Sequence, residues 1–277
     1  MQFTKMQAAG NDYIYLNCFQ QSVASPSELS VRLSNRHFGI GSDGVILIGP
    51  SDHADFSMRI FNADGSQAQM CGNGIRCVGK YVYEKGLTQK RQITVDTLAG
   101  IKTLTLSVNR ENRVEQISVA MGAPEFGAKN VPFIPEQIAV LERTLRENGI
   151  AESVCPVSMG NPHCVLFVPD VSHAPVETVG AMAEHHPAFP QRANIEFVEV
   201  LDGGHLNVRV WERGSGETFA CGTGACASTV AAVLKKGTAE SVKVALPGGT
   251  LGVTYDKVSQ QVYLQGGAEF VFDGTLL

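Results

Sequence analysis

The chain repeats itself at a fixed distance. Cys71-Gly72-Asn73-Gly74 and Cys221-Gly222-Thr223-Gly224 each open a glycine turn, and the cysteines are 150 residues apart (221 − 71). Gly10-Asn11-Asp12 and Gly160-Asn161-Pro162 stand at the same separation. Asn62 lies nine residues before Cys71, and Glu212 nine before Cys221. Leu98-Ala99-Gly100 corresponds, within a residue or two, to Leu246-Pro247-Gly248. Agreement of this kind at one offset is the mark of a duplicated unit. Two similar halves, related by a pseudo-two-fold axis, are therefore expected, and with 277 residues either half can bury its own core.

Short runs rich in β-branched and aromatic residues predict strands at 45–48, 56–61, 92–97, 101–108, 114–121, 164–168, 194–200, 206–211, 241–246 and 262–264. Helices are fewer. Ser25-Pro26-Ser27-Glu28 reads as an N-cap, a proline at the first helical position and a capping-box glutamate, with Gly39 past the end. Pro135 to about Asn148 reads as a helix stopped by Gly149, and His185-His186 ends another. Two more begin at the glycine turns, over 73–85 and 223–236, each closing with Lys-Gly. The fold class expected is α/β (α+β), duplicated, in two domains.

Composition narrows the function. Lys+Arg is 22 against Asp+Glu 27, a net charge of −5, so no basic face is on offer for nucleic acid or anionic lipid. No run approaches the ~18 apolar residues of a membrane span, and the first residues lack the apolar stretch of a secretory signal. Seven cysteines at irregular spacing suit a reducing cytosol better than a disulfide framework. A cytoplasmic enzyme is the expectation.

A two-fold pair would bring Cys71 and Cys221 to one inter-domain cleft, the preferred place for a ligand. Helix starts present N–H groups that bind a carboxylate and depress a thiol pKa. One sulfur as thiolate and the other as thiol would remove a proton from one face of an α-carbon and return one to the other. That is stereoinversion without a cofactor, by groups whose ordinary pKa of ~8.5 lies near working pH. His163 and Glu212, close to the glycine turns, could polarise or orient the thiols.

The motifs GNDY (10–13), FNADGS (61–66), MCGNGIRC (70–77), GNPHC (160–164), RANIEFVEV (192–200), WERGSGET (211–218) and ACGTGA (220–225) occur in one order and spacing. In these the chain resembles the bacterial diaminopimelate epimerase family, from Phe3 to about Gly267. The resemblance implies two domains, each a β-sheet curled round a central helix: 1–119 joined by a returning segment 266–277, and 120–265. It implies interconversion of LL- and meso-2,6-diaminopimelate on the route to lysine and peptidoglycan, in a homodimer, with no pyridoxal phosphate and no metal. By the same resemblance Cys71 and Cys221 are the acid/base thiols. Gly72, Asn73, Gly222 and Thr223 would bind the proximal carboxylate, Glu212 the proximal amine, and His163 would sit close to a thiol. Asn11, Asn62, Asn161, Asn194 and Arg213 would hold the distal L-centre, amides and a guanidinium suiting a zwitterion. Some family members carry Gln at the position of Gly44, so distal contacts are expected to be thinner here.

Other readings carry less. Cys18, Cys155, Cys164, Cys77 and Cys226 read as packing residues, and His185-His186 as a solvated or capping pair. Gly74 to Lys80 nearly matches a phosphate loop, but Tyr81 stands where Ser or Thr is needed. No CxxC pair supports zinc. The alternatives kept open are a cofactor-independent racemase of another amino acid, such as histidine or hydroxyproline, and a non-catalytic amino-acid-binding protein.

Overall fold

The computed structural model describes residues 1–150 and 153–277; residues 151 and 152 lie outside the described residues. The chain divides into two compact units, Met1–Ala120 with Gln265–Leu277, and Met121–Leu264. Among the described residues no helix is long and apolar enough to cross a membrane.

The first unit opens with strands β1 (Gln2–Ala8) and β2 (Asn11–Asn17) and helix α1 (Pro26–Ser34). Strands β3 (Gly44–Gly49), β4 (Phe56–Asn62) and the short β5 (Gln67–Ala68) lead to helix α2 (Gly72–Glu84). Strands β6 (Gln92–Thr97), β7 (Gly100–Val108) and β8 (Val114–Gly122) follow. The second unit starts with helix α3 (Pro135–Glu147), strands β9 (Cys155–Ser158) and β10 (Pro162–Phe167), and helix α4 (Val176–Glu184). Strands β11 (Asn194–Asp202), β12 (His205–Glu212) and β13 (Gly216–Thr218) lead to helix α5 (Gly222–Lys235). Strands β14 (Ser241–Leu246), β15 (Gly249–Asp256) and β16 (Gln261–Gly266) follow, and β17 (Glu269–Thr275) pairs antiparallel with β1.

Strand pairing follows the same order in both units. β1 and β2 are antiparallel, β2 and β3 parallel, β3 and β4 antiparallel, and β4 runs parallel to β6. In the second unit β9 and β10 are antiparallel, β10 and β11 parallel, β11 and β12 antiparallel, and β12 runs parallel to β14. The register agrees residue for residue: Tyr13 lies opposite Gly44, and His163 opposite Asn194. Helices α1 and α4 are also 150 residues apart (176 − 26), whereas α3 has no counterpart.

α2 and α5 are buried over most of their length, which their small and apolar residues permit. α5 touches β9, β10, β11, β12, β14 and β15, so it fills the middle of its unit. In α2, Gly79 lets the sheet approach: a Cβ there would stand 2.9 Å from a Leu104 methyl and 3.1 Å from one of Leu106. α3 and α4 cover the second core from outside, with Leu141, Leu145, Val176, Val179 and Ala183 packed onto Leu166, Ile195 and Phe197.

Each apolar run read as a strand lies in one, with Val168 alone running past the end of β10. The run-based reading passes over β1, β2, β5, β9, β13, β15 and β17. In β1 the cause is Lys5, paired with Asp12, which breaks the apolar pattern; β2 carries an unbroken apolar run, Tyr13 to Leu16. Pro156 interrupts β9, and Gly252 interrupts β15. α1 begins at Pro26 as expected, but Ser25 makes no side-chain cap bond, so the capping box does not form. Gly79 and Lys80 lie within α2, and Lys80 Nζ donates to the Val114 carbonyl, as a phosphate-binding lysine would not.

Candidate active site

Cys71 is the N-cap of α2, and its extended backbone turns the sulfur back over the helix start, where Sγ accepts from Gly74 N–H at 3.3 Å. The thiol donates to Asn11 Oδ1 at 3.3 Å. Asn11 is delivered by the two-residue Ala9-Gly10 hairpin, both residues at positive φ (52° and 80°), which suits the twist of β1 and β2. Its amide is oriented from behind: Asn11 Nδ2 donates to Asp43 Oδ2 at 2.7 Å, which leaves the carbonyl facing sulfur. Asp43 and Asp12 share Arg36, and Lys5 pairs with Asp12. Burial raises Asp43. It would raise Asp12 also, but the bonds from Arg36 and Lys5 hold that carboxyl below its ordinary range. Burial, with charge at Cys71 and Asp43, pushes the Tyr13 phenol far up, so it stays protonated.

Under the same turn lies Arg76, fully buried. It donates to the Gly72 carbonyl at 3.1 Å, to Asn73 Oδ1 at 3.0 Å and to the Gly267 carbonyl at 3.3 Å. Asn62 ends β4 with Nδ2 donating to Ser66 Oγ. At Gly44 a Cβ would lie 2.2 Å from the Phe61 carbonyl oxygen, so no side chain fits at that point of β3.

Cys221 is the N-cap of α5 and repeats the frame, with Gly224 N–H donating to Sγ at 3.3 Å. Gly222 and Thr223 hold the first two helical positions, whose amides have no intrahelical acceptor. Thr223 Oγ1 lies 3.5 Å from the sulfur. Asn161, placed after Gly160 (φ 92°), donates from Nδ2 to that hydroxyl at 3.3 Å. Its Oδ1 lies 3.0 Å from His163 Nε2, and the other ring nitrogen is 2.6 Å from Glu196 Oε1. Burial drives the Cys221 thiol well above its ordinary range, and the charges of Glu212 and Glu196 push it the same way. Glu212 is itself raised by burial, against a 2.5 Å hydrogen bond from Thr218.

His163 thus reaches Cys221 through Asn161 and Thr223. Asn194 has both ends of its amide engaged, Nδ2 with the Pro162 carbonyl and Oδ1 with Arg213 N–H, so it ties β10 to the turn after β12. Arg213 donates from its guanidinium to the Gln191 carbonyl. Within the first unit Cys71, Gly72, Asn73 and Asn11 come together. Within the second, so do Cys221, Gly222, Thr223, Asn161, His163 and Glu212. Sequence reasoning missed Asp43, Arg76, Thr218 and Glu196. Glu196 left a signal: the offset maps it to Ile46, so a charge replaces an aliphatic residue inside a buried strand.

Of the other cysteines, Cys155 is buried and Cys18 half-buried. Cys77, Cys164 and Cys226 are fully buried, and burial pushes Cys77 up to about 12.

The diaminopimelate epimerase family model matches residues 3–127 and 155–271. A diaminopimelate epimerase from Acetivibrio thermocellus is 50% identical over 274 residues, covering 99% of this chain and 98% of that one. The chain belongs to the diaminopimelate epimerase family. A second diaminopimelate epimerase, from Methanococcus maripaludis, is 46% identical over 276 residues, covering 100% and 99% of the two chains. The fold is also that of a predicted epimerase from Pseudomonas aeruginosa, with a TM-score of 0.73 over 100% of this chain and 99% of that one, at 15% identity.

Proposed function

We propose that the chain interconverts LL- and meso-2,6-diaminopimelate, with Cys71 and Cys221 as the two acid/base groups. Full-length relatedness to diaminopimelate epimerases at 46–50% identity carries the activity. The assignment of the thiols rests on one observation: at matching positions in its two units, the chain caps a buried helix with sulfur.

In the reaction one thiolate takes the α-hydrogen and the other thiol gives one back on the opposite face, each sulfur serving one hand of substrate. The difficult step is negative charge beside a carboxylate. Helix-start amides at Gly72, Asn73, Gly222 and Thr223 would take that carboxylate, donors fixed before the charge develops. Glu212 would take the proximal ammonium. Asn11, Asn62, Asn161, Asn194 and Arg213 form the distal set, with Asn194 acting mainly by fixing the Arg213 backbone. We further infer that the units arose by duplication, as paired curled sheets around α2 and α5, and that the chain works as a cytoplasmic homodimer without pyridoxal phosphate or metal.

The test is an assay of the purified, reduced protein with no added cofactor. LL-diaminopimelate should yield meso-diaminopimelate after dialysis against chelator, while histidine and hydroxyproline keep their configuration. Faster inversion of either of those amino acids would refute the assignment of substrate.

A further inference from the structure

Glu196 takes no part in the chemistry above, yet its place in the second unit is unusual. Its side chain and that of His163 are both fully buried, 2.6 Å apart at Oε1 and Nδ1. Oε2 is buried without a hydrogen-bond partner among the described residues. A carboxyl is held in such a place by being paired and hydrogen-bonded, here to His163. The groups facing it are few: His163 and Cys164 on β10, Glu212 on β12, and Cys221 at the start of α5. Gly224 lets it come close to the sulfur, since a Cβ there would stand 3.0 Å from Glu196 Oε1 and 3.3 Å from Cys221 Sγ. At the matching place in the first unit stands Ile46, whose Cδ1 would meet a Cβ on Gly74 at 2.7 Å. The carboxylate therefore belongs to one thiol and not to the frame they share.

We propose that Glu196 is a positioning residue for Cys221, holding the His163 ring and, through it, Asn161 and Thr223 against the sulfur. The hydrogen bonds have a fixed sense. Asn161 offers Oδ1 to His163, so Nε2 carries a hydrogen, and Nδ1 shares one hydrogen with Glu196. Asn161 Nδ2 then donates to Thr223 Oγ1, which leaves the hydroxyl hydrogen to turn toward Cys221. An imidazole with no partner at Nδ1 could rotate or change tautomer, and the amide would follow. The carboxylate also acts directly, since its charge favours the thiol form of Cys221.

This inference rests on Cys221 being one of the two acid/base groups, and its test does not depend on turnover. Cys71 and Cys221 are alkylated with iodoacetamide across a pH series, and each is followed by peptide mass spectrometry in wild type, Glu196→Gln and Glu196→Leu. In Glu196→Gln, which keeps the shape, the Cys221 midpoint should fall by about one unit as a neighbouring charge is removed, while the Cys71 midpoint stays. Glu196→Leu should lower kcat by at least about tenfold with KM within about twofold, the loss of roughly one charged hydrogen bond. An unchanged Cys221 midpoint in Glu196→Gln, or a joint shift of both cysteines, would overturn the inference. Failure of the wild-type protein to epimerise diaminopimelate would instead count against the assignment of function.

Discussion

Behind Cys71 stand an amide, a phenol and a buried guanidinium; behind Cys221 stand an imidazole and two carboxyls. The frames are alike: a sulfur N-cap, a glycine N–H on the sulfur, and an asparagine delivered by a tight turn. Only the residues filling the frame differ. Asn11 turns its carbonyl to Cys71 because Asp43 holds the other end of its amide. Asn161, in the matching position, spends its carbonyl on His163 and its amino group on Thr223. The proposed reaction, which needs one proton acceptor and one proton donor, would gain from this arrangement. The internal repeat supplies two matching positions, and the residues around them make the positions unequal.

The largest effect expected is on net turnover. Cys71→Ala and Cys221→Ala should each lower epimerisation by roughly 10³-fold or more, the range for a lost acid/base group. Full activity in either variant would show that the two positions are not both needed. A smaller effect separates the turns that follow β4 and β12. In the first unit the turn is held by Ser30 Oγ donating to the carbonyls of Phe61 and Asn62. In the second, Glu184 accepts from Trp211 Nε1 at 2.8 Å and from Gly214 N–H at 2.9 Å. Burial alone would raise Glu184, but those donors and the nearby charges of His185 and Arg192 hold it below its ordinary range. A depressed folded value means that the carboxylate stabilises above the unfolded value of ~4.3 and loses that contribution as pH falls through the folded one. Glu184→Gln should therefore cost about 1–3 kcal/mol at pH 7 and almost nothing in strong acid, by urea unfolding. An equal cost at both pH values would contradict it.

Much of the fold was legible because an internal repeat makes a sequence its own comparison. The glycine turns marked both helix starts, and Pro135 and Gly149 bracketed α3, where Asn148 is the C-cap. What could not be read was set by pairing across long distances. β1 hides its strand character behind Lys5, whose buried ammonium is met by Asp12 from β2 and by the Gly41 carbonyl. The residues that carry the frame, Cys71, Asn11, Cys221 and Asn161, were visible as motifs. Asp43 and Arg76 were not, since a charge is assigned to the surface until a partner is known. His163 and Glu196 are 33 residues apart and meet because β10 and β11 run parallel, two strands that no spacing rule joins in advance.

The path of one hydrogen distinguishes two opposed thiols from a single base. Wild-type protein is incubated in D₂O with unlabelled LL-diaminopimelate, and substrate and product are recovered within the first turnovers. Two unlike thiols serving opposite faces should give meso-diaminopimelate carrying deuterium at one α-carbon only, while the remaining LL-substrate stays unlabelled. Product that keeps the substrate's own hydrogen, or label at both α-carbons, would contradict it.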